Sequence, residues 1–518
     1  MNRPKLLLLA LLALPLVCVD LLRAEQAARE SGFNVRKYGA AGDGKQLDSP
    51  AIDRAIEAAA AAGGGTVFVP AGTYLSGTIH LKDHINLHLD AGATLLAAPQ
   101  EMNAYDETEP FEGTAYQDGG HTYFHNSLIV GVKLKNVSIT GRGCIHGEGL
   151  DSNPGILDKM AGHRNFKHPE KNTETYPPVR IGNKAIALKL CTNVLIRDVT
   201  MLHGGHFAIL ATGCDNMTID NVTIDTNRDG MDIDNCRNTV ISNCRVNSPN
   251  DDGICLKSSY ALGEIRFTEN LTITNCQVSG FKEGTLVDGT MQPSKRAYGR
   301  IKFGTESSGG FRNCTVSNCT FRSCLGLALE EVDGGLLENI TITNLTMMDA
   351  RDYGIYLTTG KRNRTPDLKT TSRMRNIHIS NVVADSVGKL AGIQIMGMEE
   401  EPIQGVRISN IRLTSKGGGT DKDAAIQPRE LGEGYPEPKQ IGMLPAYGIY
   451  ARHFRDLQIS DVHVDFEKED RRPAAVFVDG KGLIIDNFTP EVADGVKAVV
   501  LAKDVKEVSI RNSPALKE

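Results

Sequence analysis

The sequence predicts an all-β protein built as a parallel β-helix, a solenoid in which the chain winds in stacked coils. Three observations carry the prediction. A strand pattern of nine residues recurs along most of the chain. Its closest copies begin 23 and 22 residues apart, at Asn193, Asn216 and Asn238. The composition, with 53 glycines, no tryptophan and 5% aromatic residues, suits a turn-rich β protein. A chain of 518 residues ordinarily divides into several globular domains. A solenoid grows along one axis without enlarging its core, so residues 25–518 read as one β-helical domain. The net charge of −6 leaves no basic footprint for nucleic acid.

In chain order, residues 1–24 read as a secretory signal. Arg3 and Lys5 make the basic start, LLLLALLALPLV is the apolar core, and cleavage is expected after Ala24. Pro15 stands where a lipobox before Cys18 would want leucine, which argues against lipidation. The apolar run is short for a membrane span. A secreted or periplasmic protein, with no membrane attachment after signal removal, is expected.

Next comes an N-terminal cap, about residues 33–95. In SPAIDRAIEAAAAAGGG, Ser49 is a suitable N-cap, Pro50 fits the first helical position, and Gly63 to Gly65 end the helix. Such a helix shields the open end of a solenoid, which otherwise exposes unpaired edges. The strands TVFVPAGTY and INLHLDAGATL follow.

Coils then fill about residues 130–515. NVSITGRG at Asn136 is an early copy of the repeat. NVLIRDVTM, NMTIDNVTI, NTVISNCRV, NLTITNCQV, NCTVSNCTF and NITITNLTM follow, with weaker copies at Asn376, Gly405 and Asp456. Apolar and polar residues alternate, the period of a half-buried strand. A single coil cannot bury its own apolar face, but stacked coils can. Cys244, Cys276 and Cys319 hold one place in three copies, so an interior ladder is preferred to a disulfide framework. The many Asn-x-Ser/Thr triplets have the same origin, because Asn and Thr belong to the repeat. Asp151 to Tyr176, Gly360 to Thr371 and Gly417 to Gln440 read as loops.

The chemistry is read from register. Asp229 stands thirteen residues after Asn216, and Asp251 thirteen after Asn238. The two are therefore expected in one column on adjacent coils, with Asp252 beside them. Glu283 and Asp352 extend the column by the same count. Like charges resist joint ionisation at close range. Converging carboxylates suit glycoside hydrolysis, where one acid protonates the leaving oxygen and a carboxylate activates water or attacks the sugar. Stacked turn aspartates and a calcium site are the competing readings, and three acids in matched register favour catalysis.

NRDGMD and NDDG resemble the N-T-D and D-D signatures of the polygalacturonase-like glycoside hydrolases, family 28. The start NVRKYGAAGDGKQLDSPAIDRAIEAA, with GGGTVFVPAGTY and the later GTESSGGFRNCTVSNCTF, is similar to that family as well. The resemblance covers roughly Phe33 to Val464. It implies a right-handed parallel β-helix that hydrolyses pectic chains with inversion. It assigns Asp251 as general acid, with Asp229 and Asp252 holding the attacking water. No cofactor and no metal, a polysaccharide as partner, and a monomer are expected.

Departures from the family pattern shape the expected specificity. The position of the family's G-H-G histidine falls on Lys282 or Tyr298. The cations of its R-I-K motif, which grip a galacturonate carboxylate, are replaced by Ala328 and Glu330, with Glu331 and Asp333 nearby. Such a lining repels a uronate, so rhamnogalacturonan, which alternates galacturonate with rhamnose, fits better than unbranched polygalacturonate. Arg300 and Lys302 are candidates to restore positive charge, against the alternative of a solvated strand edge.

Tyr353 and Tyr356 are candidates to stack on sugar or to pack in the strand. Phe111, Tyr116, Tyr123 and Phe124 read as loop anchors. His203 and His206 lack a metal-ligand set. Two other classes compete with hydrolysis. One is a β-helical polysaccharide lyase with Lys282 or Arg300 as base, and the other is a non-catalytic glycan-binding β-helix.

Overall fold

The computed structural model describes residues 32–109, 119–153, 179–365 and 369–516. The proposed signal, residues 1–24, lies outside the described residues, as do Phe111, Tyr116 and most of the loop after Asp151. Among the described residues, 33 strands join in one continuous sheet that winds as a β-helix. One coil runs through Phe207–Thr212, Asp215–Asp220 and Thr223–Asp225. The next runs through Asp229–Asp234, Arg237–Ser242 and Arg245–Asn247. Each strand pairs in parallel with its equivalent one coil on, Met217 opposite Thr239 and Thr239 opposite Leu271.

The repeat is explained by its two asparagines. In NMTIDNVTI, Met217, Ile219, Val222 and Ile224 are buried in the core. Asn216 and Asn221 have φ of 56° and 53°, the left-handed region that asparagine tolerates better than most residues. They interrupt the alternation and carry the chain around the corners of the coil. Their side chains also stack. Asn216 donates to Asn193 at 3.2 Å, Asn238 to Asn216 at 3.2 Å, and Asn270 to Asn238 at 3.1 Å.

The cysteines fill the interior. All ten among the described residues are free, and nine of them are buried. In the expected ladder, the thiols of Cys244, Cys276 and Cys319 each reach the carbonyl two residues back, at 3.2, 3.2 and 3.1 Å. A second column, Cys191, Cys214 and Cys236, was not foreseen. It is buried in the same core.

The capping helix spans Ser49–Ala61 and buries Ala51, Ile52, Ala55, Ile56 and Ala59. The flanking cap residue is Asp48, not Ser49 as the sequence suggested. The buried Asp48 carboxylate instead accepts from Ala41 and Gly42 backbone N–H at 2.7 and 2.9 Å. Ser49 lies inside the helix, where its hydroxyl accepts from Gly77 N–H at 3.2 Å. The segment from Gly417 to Gln440 is a loop holding the short helix Asp421–Ala424 and the start of Pro438–Ile441.

One face of the solenoid positions the site. It is built from Asp229–Asp234, Ile254–Ser258, Ile301–Ser307, Leu325–Glu331 and Arg351–Thr359 on successive coils. Met231, Ile254, Leu256, Ile301, Phe303, Leu327 and Leu329 point into the core. Strand period two then turns Asp232, Lys257, Lys302 and Glu330 outward. These outward groups are nevertheless buried, because loops cross over them.

Candidate active site

Asp229, Asp251 and Asp252 converge, with one carboxylate oxygen of each within 4.8 Å of the others. Their register differs from the expected one. Asp225 lies opposite Asn247, whereas Met231 lies opposite Ile254. The second corner therefore carries one extra residue between these two pairs. Beyond it Met231 lies opposite Ile254, and carrying that offset back two positions sets Asp229 against Asp252. Asp251 falls beside Arg228 instead, with an ion pair of 2.8 Å.

Glu283 and Asp352 do not extend the column. Glu283 sits in an inserted loop, where it accepts from Asn227 at 3.2 Å and pairs with His203 at 2.9 Å. The strand position after Ile254 is taken by Ile301. Asp352 lies where the register slips between the pairs Leu325–Arg351 and Leu327–Ile355.

Arg300 and Lys302 are not a solvated edge. Both are buried and converge on Asp252. Arg300 Nε lies 2.7 Å from Asp252 Oδ1, and Lys302 Nζ 3.1 Å from Oδ2. Both also face Glu330, at 3.7 and 3.5 Å. Arg300 reaches Glu437 at 2.6 Å and donates to the Tyr353 hydroxyl. Lys302 is paired with Ala328 across the coils. Positive charge has thus moved one coil away from the Ala328–Glu330 strand, and three carboxylates already surround it.

The three aspartates are electrostatically unlike. Burial, then the charges of Asp251 and Asp232, pushes Asp229 well above the usual carboxylate range. Burial also raises Asp251, against the pull of Arg228. Asp252 pays the same desolvation cost, yet Arg300 and Lys302 hold it down to about 2. Burial raises Glu330 against the same two cations. Two carboxyls that favour the proton therefore stand beside one that stays ionised, the division that acid–base hydrolysis requires. Asp251 is the most accessible of the three, with a side chain 31% exposed. A hard cation would compete with Arg300 and Lys302 for Asp252, which weakens the calcium reading.

The remaining sequence candidates divide. Tyr298 is half-buried beside the trio, since its neighbour Gly299 bonds to the Asp251 carbonyl and its hydroxyl lies 3.2 Å from Lys439 Nζ. Lys282 is exposed on the inserted loop. Tyr353 and Tyr356 are fully buried with ring centroids 5.5 Å apart, so they pack rather than present a sugar platform. Phe124 anchors a small cluster with Val130, Ala187, Phe207 and Leu210.

The sequence reading missed a polar row beside the trio. His121 pairs with Asp232 at 3.0 Å, Asp232 with Lys257 at 3.3 Å, and Lys257 with Glu306 at 2.8 Å. The signal was present as charged residues at alternate positions of MDID, ICLKS and IKFGTES. Glu437 and Tyr435 were also missed, because a loop gives no period from which to place them.

Comparison with known proteins agrees with this architecture. A family model described as "Rhamnogalacturonase A/epimerase, pectate lyase-like" matches residues 32–255, and a right-handed β-helix model matches residues 185–371. The chain is 25% identical to a Vitis vinifera protein named "Probable polygalacturonase", over 75% of each chain. It is 24% identical to the exo-poly-alpha-D-galacturonosidase of Dickeya chrysanthemi, over 72% of this chain and 65% of that one. The family 28 exopolygalacturonase of Yersinia enterocolitica shares the fold with a TM-score of 0.60 at 19% identity, covering 92% of this chain and 77% of that one. Taken with the solenoid and the quoted motifs, these comparisons make the chain similar to the polygalacturonase-like glycoside hydrolases, family 28, at 24–25% identity to the named relatives.

Proposed function

We propose that this glycosidase is exported and cleaves a pectic chain carrying a neutral sugar next to the scissile bond, with rhamnogalacturonan as the favoured class. The observation that carries the reading is the charge balance around Arg300 and Lys302. Ala328 and Glu330 occupy the positions of the family's carboxylate-gripping cations. The two cations that remain are buried and already faced by Asp252, Glu330 and Glu437. A uronate carboxylate arriving there meets two cations already faced by three acids, and adds charge where acids already gather. The "rhamnogalacturonase" in the description of the matched family model points the same way.

In this reading Asp251, raised and accessible, protonates the leaving oxygen. Asp229 and Asp252 hold the attacking water. Neither is suited to direct attack on the sugar, because both Asp252 oxygens are engaged by cations and Asp229 favours its proton. A lyase route needs a base. Arg300 is held far above its ordinary range by the surrounding acids despite burial, and Lys282 is exposed on the inserted loop.

The test compares initial rates of reducing-end release on polygalacturonate and on rhamnogalacturonan. Faster release from rhamnogalacturonan is expected. Rapid hydrolysis of polygalacturonate by the unmodified protein overturns the specificity. An unsaturated uronate among the products overturns hydrolysis itself.

A further inference from the structure

We infer that the strap formed by residues 428–441 is a fixed wall of the substrate cleft, in which Tyr435 offers its ring to a neutral sugar and Glu437 keeps Arg300 and Lys302 from receiving a uronate carboxylate. The inference rests on the neutral-sugar reading above and names residues that decide it.

The strap is tied down along its length. Arg452 donates to the carbonyls of Pro428 and Arg429 at 3.0 and 2.7 Å. Glu430 pairs with Arg452 at 3.0 Å and with His453 at 3.1 Å. The Tyr356 hydroxyl donates to Pro436 C=O at 2.6 Å. Arg300 holds Glu437 at 2.6 Å, and Lys439 meets the Tyr298 hydroxyl at 3.2 Å. These anchors sit on three separate strand positions of the face that carries the aspartates, so the strap crosses several coils.

Tyr435 lies between the anchors yet remains 42% exposed. The tyrosines beneath it, Tyr353, Tyr356 and Tyr450, are buried. An aromatic ring held by its neighbours but open to solvent is a preorganised contact surface, since little side-chain freedom is lost when a ligand packs on it. Arg362 lies over this ring at 5.8 Å from its centroid. Lys302 acts on the Tyr435 hydroxyl more strongly than any other single group, but burial and the acids Glu306, Glu437 and Glu330 together leave its pKa raised. The Tyr435 hydroxyl is thus within electrostatic reach of Lys302, one of the two cations that hold Asp252.

Glu437 acts through Arg300. It occupies the guanidinium nitrogen that Asp252 and Tyr353 leave available. Bidentate carboxylate recognition by arginine needs such free donors.

The experiment measures calorimetric binding of a rhamnogalacturonan oligosaccharide and of an oligogalacturonate. It uses the inactive Asp251→Asn protein alone and combined with Tyr435→Ala, Tyr435→Phe or Glu437→Gln, with circular dichroism as the folding control. Tyr435→Ala is expected to weaken rhamnogalacturonan binding about tenfold, and Tyr435→Phe to keep it within about twofold. Glu437→Gln is expected to shift the affinity ratio about fivefold toward oligogalacturonate. Equal binding by the Ala and Phe forms overturns the role of Tyr435, and an unchanged ratio overturns that of Glu437. Preference for oligogalacturonate by the parent, still weakened by Tyr435→Ala, overturns the neutral-sugar reading while the ring contact stands. Binding of neither ligand overturns both.

Discussion

Arg300 grips Asp252 at 2.7 Å with both side chains buried, and this pair divides the labour of the three aspartates. Removing one partner of such a pair leaves an uncompensated buried charge, a loss of about 3–5 kcal/mol. Arg300→Met is therefore expected to destabilise the fold by about that amount, measured by denaturant unfolding. The sign with pH follows from Asp252, whose pKa is lowered to about 2. Its contribution is present above the ordinary carboxylate value and lost as pH falls toward about 2. Arg300→Met should remove that acid-sensitive part. A variant as stable as the parent at pH 7 would show that the pair is not buried in solution.

Asp229 carries the opposite sign. A carboxyl whose pKa is raised on folding weakens the fold as pH rises through that raised value. Asp229→Asn should raise the melting temperature at pH 7, with a smaller gain at pH 4. The same substitution should lower turnover by about 10²–10⁴-fold, the usual worth of a general acid or base. Lower thermal stability at pH 7 would argue against the raised pKa.

Asp251→Asn should cut turnover by about 10²–10⁴-fold without loss of fold, if Asp251 protonates the leaving oxygen. A general acid must hold its proton, so kcat/KM should decline as pH rises through the Asp251 pKa. Arg228, 2.8 Å away, pulls that pKa down, and Arg228→Gln should move the alkaline limb upward. A limb that stays in place in the Gln variant would assign it to another group.

The engaged oxygens of Asp252 also predict stereochemistry. Water, rather than a carboxylate, should attack, and proton NMR of the first product should show the inverted anomer. The carboxylate oxygens lie within 4.8 Å of one another, closer than the roughly 6.5–9.5 Å usual for inverting pairs. The outcome therefore separates engagement of Asp252 from simple spacing as the deciding factor. A retained anomer would require Asp229 or Asp252 to act as nucleophile.

The asparagine ladder gives a stability test away from the site. Asn238 has a φ of 55° and both donates to Asn216 and accepts from Asn270. Asn238→Gly keeps the backbone conformation and loses the ladder. Asn238→Ala loses both, so it should be less stable than the Gly variant by about 1 kcal/mol in denaturant unfolding. Equal stabilities would mean that the corner relaxes.

Much of this architecture was legible because a solenoid writes its period into the chain. NMTIDNVTI and its copies show both the buried positions and, through their asparagines, the corners. The trio was legible for the same reason. What register counting misses is a corner one residue longer than its neighbour, so Asp251 was set opposite Asp229 when its partner is Arg228. Arg300 and Lys302 were visible as charges in a strand, but only the covering loop decides whether such charges are solvated or buried. Glu437, more than a hundred residues away, leaves no periodic trace. Ser49 was misread as the cap because Asp48, an equally good candidate, is drawn off to Ala41 and Gly42.

The extra residue between Asn247 and Ile254 works like the offset scale of a vernier. Where the stack repeats in whole steps, equivalent residues fall in one column. Sliding one graduation by a single residue places an aspartate against an arginine on one line and against another aspartate on the next. The tuning of this site is therefore a matter of chain length at a corner. Deleting Pro249 would close that extra step while Asp251 still counts to Arg228 and Asp252 to Asp229, changing the shape of the corner without changing a single core side chain.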